Sequence, residues 1–282
     1  MIGASQYGSF GGTARRMVAL ALVTGVACWL AASKPAQAQA QSGIPGRIAA
    51  AGKVRVCIWP EYYGISLRDP RTQQIVGVDA DLALELGRDL GVTVEFVDSS
   101  FARLIADVTS NRCEVAMFAI GVTEARAEKL RFTRPTLESD IYAIAARGNR
   151  RVASWADIDR QGTVVAVIKG TYHEPVMRAR LGAATLLVLD TPMAREQAVE
   201  SGRADVFMTD YPYSRRFLET ADWARLIAPT RTFHMTRYAY AVAPGDDAWF
   251  SRMERFVSDI KRDGRLHKAA ARYKLEAMVV RD

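Results

Sequence analysis

The chain has 282 residues, of which 49% are hydrophobic and 24% charged, the balance of a globular protein with one large domain or two smaller ones. Its formal net charge is +7, from 38 Lys and Arg against 31 Asp and Glu. No stretch combines a basic run with interleaved aromatic residues, so the charge indicates a solvated surface and excludes an obvious nucleic-acid site.

The first forty residues have the pattern of an export signal. A pair of arginines at 15–16 precedes the apolar run 17–32, and an A-x-A cleavage pattern ends at Ala38 or Ala40. The apolar run is short for a membrane span. We therefore expect residues 1–40 to be removed, and a periplasmic mature protein to start near Gln41. Three basic residues and no acidic ones leave with the signal, so the mature net charge is near +4.

Cysteine and histidine are sparse. Cys57 and Cys113 remain after cleavage, in a compartment where disulfides are possible, and both lie in apolar strand-like runs. If these strands are parallel neighbours that end at one sheet edge, their Cα atoms lie well beyond the ~7 Å limit for a disulfide. We expect two buried free thiols. His173, His234 and His267 are scattered without ligand spacing, so no metal and no cofactor is expected.

From residue 53 onward, strand-like and helix-like segments alternate. The predicted elements are a strand at 53–59, a short strand at 75–78, a helix at 79–91, and strands at 92–98 and 113–120 that flank a helix at 101–110. This order implies a parallel sheet covered by helices, an α/β arrangement. Such sheets bind ligands at the carboxyl ends of their strands.

A second, similar series begins near Trp155. Its predicted strands are near 164–169, 185–190 and 203–210, and a helix follows each; two further helices, Asp247–Arg262 and Gly264–Tyr273, close the chain. Two more strand-like segments, Ile141–Gly148 and His234–Gly245, are interpreted as crossing between two lobes. We expect lobe 1 to comprise 41–143 plus 239–282, and lobe 2 to comprise 144–238.

The stretch from Cys113 to Pro135 carries the first chemical signal. An apolar strand stops at Gly121 and opens into a charged, helix-like turn that presents Arg126. The planar donor fork of an arginine matches the two oxygens of a carboxylate, and the N–H groups at a helix start add positive charge. The pattern indicates a carboxylate grip at a sheet edge.

Six motifs occur in a specific order. They are I-V-G-V-D-A-D-L-A, L-I-A-D-V-T-S-N-R-C-E-V, V-T-E-A-R, F-T-R-P, V-I-K-G-T and S-G-R-A-D-V-F-M-T-D. With them, residues 50–275 resemble a periplasmic solute-binding protein of the polar amino-acid transport family (family 3). The resemblance implies the type II periplasmic-binding-protein fold, in which two α/β lobes joined by two crossing strands close over an amino acid.

The resemblance also implies roles for individual residues. Arg126 would hold the α-carboxylate, helped by the N–H groups of Gly121 and Thr123. Thr171 would add a hydroxyl and an N–H from the second lobe, and Asp210 would take the α-ammonium. An opposed arginine and carboxylate in a dry cleft would complement a zwitterion.

Asp210 also has a structural interpretation. It precedes a predicted helix that starts at Tyr211, and aspartate is a good N-cap. The two roles are compatible.

The pocket for the ligand's side chain is predicted to be aromatic and weakly polar. By resemblance, Tyr62 and Phe101 face each other across it. Trp59 stands where relatives that take basic amino acids often have an acid, which argues against a cationic ligand. Further candidates are Phe118, Tyr211 and His173, with core packing favoured for Phe118. Ala119 and Gly121 stand where many relatives have Ser or Thr, which leaves carboxylates other than α-amino acids open as ligands.

These features predict a monomeric, exported binding protein that captures a small carboxylate, most simply an amino acid, and delivers it to an inner-membrane ABC permease. Two alternatives remain open. One is an enzyme resembling the exported cyclohexadienyl dehydratases, which act on prephenate or arogenate; here Glu174 would protonate a leaving hydroxyl while Arg126 holds the carboxylate. The other is an accessory or sensor binding protein of the periplasm.

Overall fold

The computed structural model describes residues 43–191 and 193–281. The predicted export signal lies outside the described residues. The helices are α1 (Ile44–Ala51), α2 (Val78–Leu90), α3 (Leu104–Thr109), α4 (Glu124–Ala127), α5 (His173–Arg180), α6 (Ala194–Glu200), α7 (Tyr211–Leu218), α8 (Asp247–Arg262) and α9 (Arg265–Arg272). Short 3-10 turns occupy Trp155–Asp157 and Glu276–Met278.

Most of the strands belong to two larger sheets. The strands are β1 (Lys53–Ile58), β2 (Glu61–Tyr62), β3 (Ser66–Arg68), β4 (Ile75–Val76), β5 (Thr93–Asp98), β6 (Val115–Gly121), β7 (Arg131–Phe132), β8 (Leu137–Ser139), β9 (Ile141–Ala146), β10 (Val164–Ile168), β11 (Thr185–Leu189), β12 (Val206–Asp210), β13 (Ala224–Ile227) and β14 (Thr236–Val242). Only β2, β3 and β4 stand apart, as a small sheet within the segment predicted to be mostly loop.

The first sheet has the order β5-β1-β6-β14-β7, with β8 also paired to β14. Its strands β5, β1 and β6 are parallel, as the alternation of strands and helices predicts. Every residue of β6 is buried, because the strand lies in the middle of the sheet with helices on its faces. Helix α2 buries its apolar side and ends at Gly91, whose φ of +68° suits a residue without a side chain.

Cys57 and Cys113 form a disulfide, so the prediction of two free thiols is wrong. The prediction assumed that their strands end flush at one sheet edge. Cys57 is instead in register with Ala116, and β6 extends beyond the end of β1. Cys113 precedes β6 and lies close to Cys57, with 5.6 Å between the two Cα atoms. The stagger of the two strands therefore brings the cysteines together.

The second sheet repeats the plan of the first, with the order β11-β10-β12-β9-β13. Strands β11, β10 and β12 are parallel, and β9 is antiparallel to β12. In each sheet the third parallel strand thus pairs with an antiparallel strand, β14 in the first sheet and β9 in the second. The result is the predicted α/β fold with two parallel-sheet lobes.

The chain crosses between the sheets twice, once at Asp140 and once between β13 and β14. The carboxylate of Asp140 joins the two crossings. It accepts hydrogen bonds from the backbone N–H groups of Phe233 (2.9 Å) and His234 (2.7 Å). Strands β9 and β14, interpreted above as crossing between the lobes, each lie wholly in one sheet, so that interpretation is wrong; the crossings are Asp140 and the segment 228–235. The lobe boundaries given above stay a prediction.

No helix in the described part of the chain is both long and apolar enough to cross a membrane.

Candidate functional site

Arg126 lies just beyond the carboxyl end of β6. Thr123 caps the short helix α4 by accepting the backbone N–H of Arg126 at 3.4 Å. This cap starts a helical turn, and the guanidinium of Arg126 lies against the last residue of β6. There its Nη1 donates to the carbonyl of Gly121 at 2.7 Å, and its Nη2 donates to the carbonyl of Gly170 at 2.8 Å. Gly170 belongs to the second lobe, so Arg126 bridges the two lobes.

The guanidinium of Arg126 is buried without an acidic partner. The residue is 7% exposed, and no carboxylate among residues 43–191 and 193–281 forms an ion pair with it. Phe101 lies against it, with the guanidinium carbon 5.5 Å from the ring centre. Burial lowers the pKa of Arg126 to about 10. A buried cation whose partners are carbonyls is stabilised by any anion that reaches it.

Asp210 is the matching anion at the end of β12. The residue is 1% exposed, and its Oδ1 caps α7 by accepting the N–H of Tyr213 at 3.3 Å, as the structural interpretation predicted. Its Oδ2 accepts hydrogen bonds from the hydroxyls of Tyr62 and Tyr238, the latter at 2.9 Å. Burial raises the pKa of Asp210, and the two tyrosine hydrogen bonds act against that rise. The positive charge of Arg195 also acts against that rise, although Asp210 forms no ion pair with any of the described residues.

A small cavity lies between the lobes. Its volume of about 10 Å³ leaves room for about one water molecule. Its lining residues are Trp59, Tyr62, Phe101, Thr171, Tyr172, His173, Arg195, Thr209, Asp210 and Tyr213. The first three come from the first lobe and the others from the second.

The cavity includes some of the predicted site residues and not others. Of the residues singled out from the sequence, those on the cavity are Trp59, Tyr62, Phe101, Thr171, His173 and Asp210. Arg126, Gly121 and Thr123 are not among its lining residues; Arg126 lies against Phe101 and Gly121 against Tyr172, and both of these rings line the cavity. Trp59, Tyr62, Phe101 and Phe118 form a chain of tilted aromatic contacts, and Phe118 is fully buried.

Thr236 and Tyr172 account for the glycine at position 121. A Cβ atom on Gly121 would lie 2.9 Å from Cγ2 of Thr236 and 3.2 Å from Cδ1 of Tyr172. The Tyr172 ring is buried, and its hydroxyl is 3.1 Å from that of Tyr238. The space next to position 121, where a Ser or Thr side chain would project, is thus filled by Thr236 of the first sheet and by Tyr172 of the second lobe.

A second buried polar group lies on the second-lobe side of the cavity. Arg195 is 3% exposed and donates to Glu196 at 2.6 Å and to the carbonyl of Met208 at 2.8 Å. Burial alone would lower the pKa of Arg195, but the charges and hydrogen bonds of Glu196 and Tyr213 together outweigh burial and raise that pKa. His173 and Thr209 complete the group, and neither His173 ring nitrogen nor the Thr209 hydroxyl has a hydrogen-bond partner.

His173 is held as a neutral ring. It is 5% exposed and packs on Tyr172, with 4.1 Å between the ring centres. Burial lowers the pKa of His173 well below its ordinary value, and the positive charge of Arg195 lowers it further. The backbone of Thr209 lies close to the His173 ring and acts to raise the pKa of His173. The geometry is not that of a hydrogen bond, so neither ring nitrogen has a partner.

Two other residues predicted for the site, Thr171 and Glu174, form hydrogen bonds with the backbone of their own turn. The hydroxyl of Thr171 donates to the carbonyl of Ile168 at 2.7 Å, although the residue lines the cavity. Glu174 accepts the N–H of Gly170 at 3.0 Å and pairs with Arg178 at 3.0 Å. Glu174 does not line the cavity, whereas its neighbour in the sequence, His173, does.

Sequence reasoning missed Tyr172, Tyr238 and Arg195. Tyr238 has no local signal, because it comes to Asp210 only through the pairing of β14 with β6. Arg195 lies in a charged helical segment that is typical of a solvated surface. Tyr172 directly follows Thr171 in the predicted Gly turn, so its position in the sequence was the one available hint.

A family model for bacterial extracellular solute-binding proteins, family 3, matches residues 54–276. The chain belongs to this family. Among curated family relatives, it is 27% identical to the cyclohexadienyl dehydratase of Pseudomonas aeruginosa over 248 residues, which covers 88% of this chain and 91% of that protein. It is 21% identical to the L-cystine-binding protein TcyJ of Escherichia coli, covering 90% and 94% of the two chains.

Solved structures of amino acid-binding proteins share its fold. The ancestral amino acid-binding protein AncCDT-1, described as a precursor of cyclohexadienyl dehydratase, superposes with a TM-score of 0.75 at 25% identity. That match covers 82% of this chain and 99% of the ancestral protein. The fold is therefore that of the type II periplasmic binding proteins, as the resemblance implied. In the described part of this chain, no group of three or more His, Cys, Asp or Glu side chains is arranged to hold a metal ion.

Proposed function

We propose that this family 3 protein captures a small zwitterionic carboxylate, most simply an amino acid, between its two lobes. One observation carries the proposal. Arg126 on the first lobe and Asp210 on the second are buried, oppositely charged and without salt-bridge partners in the described chain. A zwitterion offers each of them its missing counterion, and a buried charge gains most from a partner.

Lobe opening gives the ligand access to both charges. In the closed arrangement Arg126 binds the carbonyl of Gly170, and Oδ2 of Asp210 binds the hydroxyls of Tyr62 and Tyr238. Tyr238 lies on β14 of the first sheet, so all three contacts join the two lobes and opening breaks them. It frees one nitrogen of Arg126 for a carboxylate and one oxygen of Asp210 for an ammonium group. Trp59, Tyr62 and Phe101 then form the apolar wall against the ligand's side chain.

A thermal-shift screen of amino acids and small carboxylates tests this function. A ligand at 100 times its dissociation constant adds about 2.7 kcal/mol to the free energy of unfolding. We expect at least one carboxylate to raise the melting temperature of the wild type and not of Arg126→Gln. Arg225→Gln is the matched control, because Arg225 also donates to backbone carbonyls but lies away from the cavity on β13. No shift with any carboxylate would contradict the proposal.

The partners follow from the proposed role. The relatives include an L-cystine-binding protein and a probable amino-acid ABC transporter periplasmic-binding protein. We propose that this chain acts in the periplasm as a monomer and passes its ligand to an inner-membrane ABC permease. Export is tested by locating the protein in cell fractions, with and without residues 1–40.

The similarity to a cyclohexadienyl dehydratase supports a second candidate, a lyase that acts on prephenate or arogenate. Arg126 would hold the substrate carboxylate, and Glu174 would act as the acid. Glu174 is engaged by the Gly170 backbone and by Arg178, which favours binding over catalysis in this arrangement. Turnover of either compound by the wild type, lost in Glu174→Gln, would establish the enzyme.

A further inference from the structure

The second-lobe wall of the cavity holds polar atoms that the carboxylate and ammonium contacts do not use. Both ring nitrogens of His173 and the hydroxyl of Thr209 are buried without hydrogen-bond partners. His173 is 5% exposed and Thr209 1%, and both line the cavity. An unsatisfied buried polar atom destabilises the folded state. Three such atoms on one small wall point to a group that arrives with the ligand.

We propose that His173 and Thr209 form a subsite for an uncharged polar group of the ligand, a hydroxyl or a carboxamide. This inference rests on the proposed function and names its substrate class: a carboxylate that carries a second, neutral group able both to donate and to accept hydrogen bonds. A neutral imidazole has one donor and one acceptor nitrogen, and a threonine hydroxyl can act either way. The pair is complementary to a partner with both capacities.

The charges near His173 disfavour a charged ligand group at this subsite. Arg195 and Arg126 both act on the His173 ring as positive charges, so a second cationic group of the ligand, beside His173, is disfavoured. A second anionic group finds no available cation, because Arg195 is paired with Glu196 and Arg126 is assigned to the first carboxylate. A neutral polar group is the remaining class that satisfies the unpartnered atoms.

Titration calorimetry with three pairs of amino acids tests the subsite. L-Threonine and L-valine differ by a hydroxyl for a methyl, L-asparagine and L-leucine by an amide for a branched alkyl end, and L-tyrosine and L-phenylalanine by one hydroxyl. We expect the wild type to bind the polar member of at least one pair at least about 10-fold more tightly. Thr209→Val and His173→Phe should reduce that preference to about 3-fold or less.

The same variants distinguish a ligand subsite from a structural role. Removing an unsatisfied buried polar atom with a side chain of similar shape is neutral or stabilising. Thr209→Val should therefore keep or raise the melting temperature of the ligand-free protein while it weakens binding of the polar probe. His267→Phe, on the exposed face of α9, is the control for the ring substitution and should change neither quantity.

The outcomes separate the two proposals. If no amino acid or other carboxylate binds the wild type, the proposed function fails and the subsite falls with it. If carboxylates bind through Arg126 but polar and apolar members of every pair bind equally, the subsite alone is overturned. A loss of thermal stability in both Thr209→Val and His173→Phe, with the preference unchanged, would likewise overturn it.

Discussion

Arg126 and Gly170 are joined across the cleft by a hydrogen bond of 2.8 Å from a guanidinium nitrogen to a backbone carbonyl. The bond couples the residue assigned to the ligand's carboxylate to the turn of the opposite lobe. Gly170 also approaches the first lobe closely, because a Cβ atom there would lie 2.7 Å from the Cα of Ala102. Closure of the lobes therefore depends on a glycine at this position.

Gly170→Ala should weaken ligand binding by opposing closure. The added methyl group collides with the backbone at Ala102, which cannot move as a flexible side chain could. Gly202→Ala is the matched control, since Gly202 has a similar φ of +76° against +77°, and a Cβ atom added there would have no neighbour within 4 Å. Both variants carry a backbone strain of about 1–2 kcal/mol. We expect calorimetry to show reduced affinity for Gly170→Ala alone; equal effects would show that the contact across the cleft is irrelevant.

Gly121→Ala should destabilise the closed protein through two specific contacts. The new methyl group would lie 2.9 Å from Cγ2 of Thr236 and 3.2 Å from the Tyr172 ring. Overpacking of this kind costs about 1–3 kcal/mol. Thr236→Ser removes the closer methyl and keeps the hydroxyl, so the double variant should recover part of the loss. Urea unfolding of the four proteins measures this coupling, and strict additivity would contradict it.

The local sequence pattern predicted the strands that deliver the site, and long-range pairing decided the rest. Arg126 could be found because it follows an apolar strand that ends in a recognisable turn, and Asp210 because the family resemblance places an acid at the end of its strand, where it also caps a helix. The disulfide could not be predicted, because the sequence of neither strand determines how far β1 and β6 are staggered relative to each other. For the same reason Tyr238 escaped notice, since only sheet pairing brings it beside Asp210.

The Cys57–Cys113 disulfide closes a long loop and should contribute to stability. The two cysteines are 56 positions apart, and in the chain-entropy account a crosslink of this span stabilises by about 3–5 kcal/mol. A reductant should lower the urea midpoint of the wild type. The double variant Cys57→Ala/Cys113→Ala should start lower and show no response to the reductant. An unchanged wild-type midpoint after complete reduction would refute this.

Asp79 should make stability depend on pH. Its carboxylate is buried under the first sheet, where it accepts the N–H of Ala119 at 2.6 Å and the hydroxyl of Tyr240 at 3.2 Å. Burial raises the pKa of Asp79 from 3.8 to about 6. The folded state binds the Asp79 proton more tightly than the unfolded state does, so protonation of Asp79 stabilises the fold. This stabilisation is fully present below about pH 4 and is lost as the pH rises through 6.

Asp79→Asn isolates that effect, because its amide resembles the protonated carboxyl and does not titrate. We expect the free energy of unfolding of the variant to rise relative to the wild type between about pH 4 and pH 6. The total change in this difference is on the order of 3 kcal/mol, and the difference stays constant above about pH 6. Urea unfolding at closely spaced pH values measures the difference. A difference independent of pH would show that Asp79 does not carry this titration.

The most direct measurement of the two-charge clamp is calorimetry with an amino acid and two altered forms of it. The probe is the amino acid with the largest thermal shift, together with its carboxamide and its 2-hydroxy acid. The wild type should prefer the amino acid over both forms by at least about 100-fold, since each leaves one buried charge unpaired. Arg126→Gln should lose only the preference against the carboxamide, and Asp210→Asn only that against the hydroxy acid. If both preferences survive in both variants, Arg126 and Asp210 are not the ligand's counterions.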